Sequence, residues 1–376
     1  MNRPFEALYV HVPFCRSKCF YCDFYSEAGR TKKGYVKLLL TELSLLQPEL
    51  QQFPTVYFGG GTPSLMEPSF FETLLSRVGQ FSEVTVEFNP EDATPQKLRA
   101  LRELGVNRVS IGVQSLSDTT LKALRRRHTA RQGLKAVEEA LKVFNNVSVD
   151  LIYGVPGQRP EEFLRELETL LSLPVKHVSL YALTPYSETP LGRLVELGKV
   201  ELPPEEQVEE CYRLGAKLLE EKGLKRYEIS NFALEGFRCK HNLHYWRLNN
   251  YLGIGPSAAS FSDSSYRRNV SSLKSYERKL AAGELPTAEE VNFSPDELKE
   301  VKLSFGLRLT EGVELEALGL KEWFQELLAA DEAIGAMVEE GLLEFSGSRL
   351  RLGERGVLTS NAVIATLLSK LPKSIP

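Results

Sequence analysis

The chain has 376 residues, of which 42% are hydrophobic and 26% are charged, a balance typical of a globular protein. Its formal net charge of −4 argues against a protein that binds nucleic acid through bulk positive charge. We find no apolar run near the ~18 residues that a membrane span needs, and no apolar segment of the secretory type at the N-terminus. We therefore expect a cytoplasmic protein without a transmembrane segment.

Six short strands, each followed by an amphipathic helical stretch, are predicted in the first half of the chain. The strands are expected at Ala7–Val12, Thr55–Phe58, Val84–Phe88, Arg108–Val113, Val147–Ile152 and His177–Leu183. The helices between them are expected at Tyr35–Leu46, Ser69–Val78, Pro95–Leu104, Arg131–Val143 and Pro160–Leu171. This alternation predicts an α/β fold whose parallel sheet is open or curled into a partial barrel of six βα units.

Polar and glycine residues follow each of these strands, at the point where the strand ends. The strand ends are His11–Cys15, Gly59–Pro63, Glu87–Pro90, Gln114–Ser115, Asp150–Gly154 and Tyr181–Pro185. In parallel barrels the active site is built at this face, from the strand ends and the loops beyond them. Packing alone would place apolar residues there, so we expect a functional site at the barrel mouth.

The second half of the chain predicts an extension of the sheet and a small C-terminal unit. A helix at Leu202–Gly223 and a strand at Lys225–Phe232 precede the segments His241–Trp246 and Leu252–Ser257, and a linker is expected at Ala281–Thr287. Helices at Pro295–Phe305 and Lys321–Glu340, a hairpin of Leu342–Phe345 with Arg349–Leu352 and a last helix ending near Ser369 are typical of a winged-helix-like α+β domain. This unit carries more acidic than basic side chains, which favours a lid or a partner surface over DNA binding. We expect three domains, at residues 1–200, 201–285 and 290–376.

Three of the five cysteines, Cys15, Cys19 and Cys22, fall within eight residues in the loop after the first strand. The spacing CxxxCxxC suits three irons of a 4Fe-4S cluster and leaves the fourth iron free for a small molecule that binds through an amine and a carboxylate. The alternative is a structural zinc, which usually takes four ligands in paired CxxC spacing. No second cysteine pair follows, and Cys239 with His241 would have to supply a distant fourth ligand.

The cysteine motif and the triple-glycine segment Gly59–Pro63 resemble those of the radical SAM superfamily, whose cofactors are a 4Fe-4S cluster and S-adenosyl-L-methionine (SAM). The segments Tyr9–Cys15, Asp23-Phe24, Gly112–Ser115 and Asp150–Gly157 are similar to the branch that contains anaerobic coproporphyrinogen III dehydrogenase. The resemblance implies that the SAM pocket is lined by Tyr9, Tyr21, Gly60, Gly61, Thr62, Glu87, Gln114, Arg126, Asp150 and Ala182. Of the charged members, Arg126 suits a carboxylate and Glu87 suits an amine or a ribose hydroxyl, although either could instead form a structural ion pair.

The chain departs from the dehydrogenase in two places. Phe24 stands where the dehydrogenase has a further cysteine, and only 14 residues precede Cys15 where the dehydrogenase has a long N-terminal extension. Instead, His241-Asn-Leu-His-Tyr-Trp246 resembles the HNxxYW motif of the HemW group of heme chaperones, and Gly306–Val313 resembles that group's C-terminal domain.

This second resemblance implies a protein that binds heme and transfers it to acceptors such as respiratory hemoproteins, including membrane-associated ones. His241 is the expected axial heme ligand, with His244 and Cys239 as weaker candidates, because an imidazole can ligate heme iron. The alternative for His241 is a hydrogen-bonded structural histidine. Two other functions stay open: oxidative decarboxylation of coproporphyrinogen III by a 5′-deoxyadenosyl radical, and radical chemistry on another substrate.

Overall fold

A computed structural model describes residues 4–29, 31–46, 53–79 and 81–372. Residues 1–3 and 373–376, at the two ends of the expected domain ranges, lie outside the described residues. No helix in the described ranges combines the length and the apolar character needed to cross a bilayer.

The first half of the chain alternates strands and helices. Its elements are β1 Ala7–Val12, β2 Phe14–Cys15, β3 Glu27–Ala28, α1 Tyr35–Leu46, β4 Thr55–Gly60, α2 Pro68–Val78, β5 Glu83–Phe88, α3 Pro95–Glu103, β6 Arg108–Gln114, α4 Asp118–Ala123, α5 Ala130–Leu141, β7 Asn146–Tyr153, α6 Pro160–Leu171 and β8 His177–Ala182. The extension comprises α7 Pro190–Glu196, α8 Glu205–Glu221, β9 Lys225–Arg226, β10 Asn231–Ala233, α9 Lys240–Trp246, β11 Tyr251–Ile254, β12 Ala259–Ser262, β13 Ser265–Asn269, α10 Leu273–Ala281 and β14 Thr287–Asn292. The C-terminal unit comprises α11 Pro295–Gly306, β15 Val313–Glu314, α12 Lys321–Ala330, α13 Glu332–Glu339, β16 Leu343–Ser346, β17 Arg349–Leu352 and α14 Ser360–Ser369.

Six parallel strands lie side by side in chain order, β1, β4, β5, β6, β7 and β8. The sheet does not close on itself, because β1 pairs on its other side with β11 and β8 pairs with the antiparallel β10. Strands β12, β13 and β14 extend the edge beyond β11. Neighbours in chain order are typical of a βα barrel, so the predicted α/β partial barrel of six βα units is confirmed.

Along the barrel strands, apolar and polar residues alternate, and the two sets face opposite sides of the sheet. On β6, Val109 and Ile111 are fully buried members of the core that also includes the surrounding helices. Ser110, between them, faces inward, and its hydroxyl donates to both carboxylate oxygens of Asp150 on β7 at 3.2 Å. The interior of the barrel is therefore polar, while the interface with the helices is apolar.

The C-terminal unit has the predicted helices and hairpin of a winged-helix-like α+β domain, together with a short strand, β15, that was not predicted. Strands β15, β17 and β16 form a three-stranded antiparallel sheet. Ser294 and Glu297 form a capping box at the start of α11, which fixes where the unit's first helix begins. An isolated antiparallel bridge between Glu228 and Leu309 joins this unit to the barrel extension.

Two predicted elements differ from those observed. The strand predicted at Lys225–Phe232 is wrong as one strand, because the chain turns after Arg226 and returns as β10, which pairs with β9. The helix predicted at Lys321–Glu340 is divided at Asp331, whose carboxylate accepts the amides of Ala333 and Ile334 and so caps a new helix. Helix α4 was not predicted. The division into three domains stays a prediction.

Candidate functional site

A cavity of about 570 Å³ opens at the C-terminal ends of the barrel strands. Of the residues expected to hold the cluster and SAM, those that line it are Cys15, Cys19, Cys22, Tyr21, Gly60, Gly61, Thr62, Glu87, Gln114, Arg126, Asp150 and Ala182. The structure therefore brings together, around one cavity, residues that are spread over more than 160 positions of sequence. A volume of this size is typical of small-molecule sites.

Tyr9 is the one member of the expected SAM set that does not line this cavity. Its hydroxyl lies 3.1 Å from Nδ1 of His11, and its ring stacks on that of Tyr57 with centroids 6.3 Å apart. A Cβ on Gly59 would lie 3.0 Å from the Tyr9 ring, so Tyr9 packs beneath the glycine turn. Its assignment as a SAM contact stays a prediction.

The three loop cysteines are half-buried free thiols at the wall of the cavity. The Thr62 hydroxyl donates to Sγ of Cys15 at 3.4 Å, and Nη1 of Arg126 donates to Sγ of Cys19 at 3.2 Å. Burial, together with the charges of the Cys19 and Cys15 thiolates, raises the pKa of Cys22 to about 11. Its thiolate form therefore needs a nearby cation, which a metal centre supplies.

The arrangement of these thiols fits a cluster better than a single metal ion. Among the described residues, no three His, Cys, Asp or Glu side chains are grouped so that they could hold one metal ion. In an iron–sulfur cluster each thiolate binds a different iron, so the three sulfur atoms need not meet at one point. Hydrogen bonds to two of the sulfurs are contacts of the kind that orient and tune cluster ligands.

The glycine turn after β4 brings the backbone close to the cavity. Gly60 has φ +107, and a Cβ there would lie 2.5 Å from the imidazole of the buried His11. A Cβ on Gly61 would lie 2.8 Å from the backbone oxygens of Val12 and Phe14. The two glycines are therefore required sterically, and they leave the backbone of this turn accessible to a ligand.

Arg126 is the cation next to the loop cysteines. Its Nη2 donates to Oδ1 of Asn89 at 2.7 Å and to the carbonyl oxygen of Gly112 at 2.9 Å, while Nη1 contacts Cys19. Its buried Nε has no partner among the described residues. The guanidinium is thus held by neutral groups and a thiol beside the cavity, so it can receive the carboxylate of a ligand.

Glu87 and Asp150 place two carboxylates on the wall of the same cavity. The pKa of Glu87 is raised to about 7, mainly by burial; the Tyr57 hydroxyl that donates to Glu87 at 2.8 Å opposes this shift, and the charge of Asp150 adds to it. Burial also raises the pKa of Asp150, and hydrogen bonds from Ser110 and Ser179 oppose this effect. An amine or a ribose hydroxyl bound here would satisfy these acceptors.

Asn89 is a site residue that the sequence analysis did not assign. It receives the bond from Arg126, and its Nδ2 donates to Oγ1 of Thr62 at 3.1 Å, so it connects the charged residue to the glycine turn. Its position at the end of β5, inside the segment Glu87–Pro90, was the available signal.

His241 lies at the opposite end of the barrel from this cavity. Its ring is fully buried, with Nδ1 at 2.9 Å from Oγ1 of Thr55 and Nε2 at 2.8 Å from the hydroxyl of Tyr245. Thr55 is the first residue of β4 and Gly60 the last, so about 16 Å of strand separates the two levels. Both ring nitrogens are engaged, and burial lowers the pKa of His241 well below its ordinary value.

The helix that carries the HNxxYW motif closes the barrel floor. The buried carboxylate of Glu83, at the start of β5, accepts the amides of Lys240 at 3.1 Å and His241 at 3.0 Å and so caps α9. Cys239 is fully buried with Sγ 3.6 Å from Glu83, and burial raises its pKa to about 12. His244 bonds to Asn249. Neither Cys239 nor His244 lines the cavity.

Comparison with known proteins places the whole chain among relatives of one kind. The radical SAM superfamily is matched at residues 9–170 and the HemN C-terminal domain at residues 293–359. The Bacillus subtilis protein named heme chaperone HemW is 32% identical, over 97% of this chain and 100% of its own length. Mycobacterium tuberculosis H37Rv heme chaperone HemW is 35% identical, over 98% of this chain and 95% of its own length.

The same comparison extends to a mitochondrial relative and to a solved structure. The radical S-adenosyl methionine domain-containing protein 1 of Bos taurus is 35% identical, over 98% of this chain and 90% of its own length. Coproporphyrinogen III oxidase (HemN) from Escherichia coli superposes with a TM-score of 0.80, covers 98% of this chain and 91% of that chain, and is 20% identical. At that identity the superposition establishes the shared fold.

Proposed function

Since this chain belongs to the HemW family of the radical SAM superfamily, we propose that it is a heme chaperone, which binds heme and transfers it to acceptor proteins. The observation that carries the proposal is the end-to-end match to relatives named heme chaperones, because it includes the C-terminal unit as well as the barrel. Three unpaired thiols in one loop favour a reducing compartment, the cytoplasm, as its location. The acceptors are heme proteins such as those of respiration.

Cys15, Cys19 and Cys22 would hold three irons of a 4Fe-4S cluster, and the expected SAM set would hold SAM beside it. The cluster supplies an open iron to which the amine and the carboxylate of SAM can bind. The chain's own part is to position that ligand: Arg126 binds the carboxylate, Glu87 accepts from the amine or the ribose, and the backbone at Gly60 makes close contact. Asn89 keeps Arg126 oriented.

Ligation of heme by His241 stays a prediction with a demanding condition. The imidazole would have to give up its bonds to Thr55 and Tyr245 and leave a fully buried position. Losing two buried hydrogen bonds costs about 2–6 kcal/mol, against which the iron–nitrogen bond would have to compete. Opening of the α9 helix is therefore part of any account in which His241 is the axial ligand.

The experiment is an anaerobic heme titration of the cluster-reconstituted protein, followed by Soret absorbance. We expect saturable binding of one heme per chain. In parallel, the protein is incubated with coproporphyrinogen III, SAM and a reductant. Formation of protoporphyrinogen would contradict a chaperone-only function, whereas its absence together with heme binding supports the proposal. Phe24, which is 63% exposed at the cavity in place of the dehydrogenase's cysteine, favours the second outcome.

A further inference from the structure

Beyond the SAM set, the cavity at the barrel mouth is also lined by residues of the barrel extension and of the C-terminal unit, and we call this part of it the side chamber. The wall of this side chamber is formed on the barrel side by Tyr212, Ile229 and Ser230, and on the side of the C-terminal unit by Arg308, Val357, Leu358, Ser360 and Asn361. None of these residues belongs to the cluster or to the SAM set. The chamber combines apolar and aromatic side chains with one cation, which is the chemistry of a site for an amphipathic ligand.

Arg308 is the cation of this chamber, and its partners in the described ranges are neutral. Its Nη2 donates to Oδ1 of Asn361 at 2.9 Å, and its guanidinium lies 5.6 Å from the centroid of the Trp246 ring. Burial lowers the pKa of Arg308, and the charge of Glu228 opposes this effect. A guanidinium that has lost part of its hydration gains most from an anionic ligand with two oxygen atoms.

Glu228 does not neutralise Arg308 through a direct ion pair. Its side chain is 1% exposed, and burial raises its pKa while donors at Ser230 and Asn231 lower it. One of its oxygens, Oε1, has no partner among the described residues. The charge on the chamber wall therefore stays available to a ligand.

The fold holds Arg308 in place through the HNxxYW helix and the seam between barrel and C-terminal unit. Trp246, the last residue of that helix, lies under Arg308, and its ring is tilted by 54° against that of Phe305, with centroids 5.9 Å apart. The amide of Thr310 donates to the carbonyl of Tyr227 at 3.1 Å, two residues beyond Arg308. Through Trp246, at the opposite end of the helix from His241, the motif thus contacts Arg308 on the cavity wall.

We propose that Arg308 and Asn361 bind a carboxylate side chain of a tetrapyrrole, while the apolar wall of the side chamber contacts the ring. Heme has two propionate carboxylates on a flat apolar macrocycle, which matches one cation among apolar walls. The inference rests on the proposed function and adds to it the place and the chemistry of the contact. It also gives the HNxxYW motif a role in heme binding that needs no ligation by His241.

The test compares heme with heme dimethyl ester, in which the propionates carry no charge, as ligands of the cluster-reconstituted protein. We expect Arg308→Gln to weaken heme binding about 10- to 100-fold, because a charge-assisted hydrogen bond is lost. Binding of the ester should change less than about twofold. Arg247→Gln is the matched control, since Arg247 is an exposed arginine on the same seam that pairs with Glu311 and does not line the cavity.

Asn361→Asp is a second variant, and it changes an exposed residue. The new carboxylate would pair with Arg308 and compete with the propionate, so the binding of heme should weaken and the binding of the ester should not. If heme binding and ester binding weaken equally, or if heme binding weakens in neither variant, the inference is overturned and the proposed chaperone function is unaffected. Failure of the wild-type protein to bind heme would overturn the proposed function, and the inference with it.

Discussion

Replacement of His241 by alanine tests whether the HNxxYW histidine is part of the barrel floor. The substitution removes a fully buried ring and leaves the hydroxyls of Thr55 and Tyr245 without their partner. Each unsatisfied buried hydroxyl costs about 1–3 kcal/mol, and the void left by the ring adds a further cost. Since these effects overlap, we expect a loss of about 3–5 kcal/mol in the free energy of unfolding.

The assay is urea denaturation of the heme-free protein, with His244→Ala as the matched control on the same helix. His244 is only partly buried and bonds to Asn249, so its replacement should cost less than about 1.5 kcal/mol. The lowered pKa of His241 also sets a pH dependence. Below pH ~6.5 the unfolded wild-type chain takes up a proton at His241 and the folded protein does not, which lowers the free energy of unfolding of the wild type. The difference in this free energy between wild type and His241→Ala should therefore become smaller as the pH falls. A stability loss below 1 kcal/mol, combined with loss of heme binding, would refute the structural role.

Three further predictions concern the cavity. Gly60→Ala should destabilise the fold by about 2–4 kcal/mol, because its φ is +107 and the new Cβ meets His11; an unchanged urea midpoint would contradict this. Glu87→Gln should stabilise the protein by about 1–3 kcal/mol at pH 8 and by little near pH 4.5, because the unfolded carboxyl loses its proton near pH 4.5 while the folded one keeps it up to about pH 7, so the wild type loses stability between these two pH values. Urea melts at pH 8 and pH 4.5 check the sign. Cys22→Ser should abolish the visible absorbance of the reconstituted cluster, while Cys211→Ser, buried in α8, should keep it.

The barrel could be predicted because the strand pattern is strongly local. In Arg108–Gln114, β-branched residues alternate with polar ones, and the same alternation in the neighbouring strands makes one face apolar and the other polar. Parallel strands with their ends at one edge then bring Glu87 and Asp150 together, although 63 positions separate them in the sequence. The polar interior below the mouth follows from the same pattern.

The location of His241 could not be predicted in this way. The motif indicates a short helix, but the capping carboxylate at Glu83 and the acceptor at Thr55 lie about 160 and 190 residues away in the sequence, so only the tertiary fold decides which end of the barrel the helix closes. The same reason applies to Arg308, which reaches the cavity only because the C-terminal unit packs on the barrel. Asp331 is different, since an aspartate before Glu-Ala-Ile is a local capping signal within the predicted long helix.

The most direct test of the chaperone function is the transfer of heme from the loaded protein to an acceptor. The heme-loaded protein is mixed anaerobically with increasing amounts of a heme-free respiratory hemoprotein, and in parallel with a heme scavenger that reports only spontaneous release. Direct transfer predicts a rate that rises with the acceptor concentration and exceeds the scavenger rate. A rate that is the same for both, and independent of acceptor concentration, would show passive release and contradict the chaperone function.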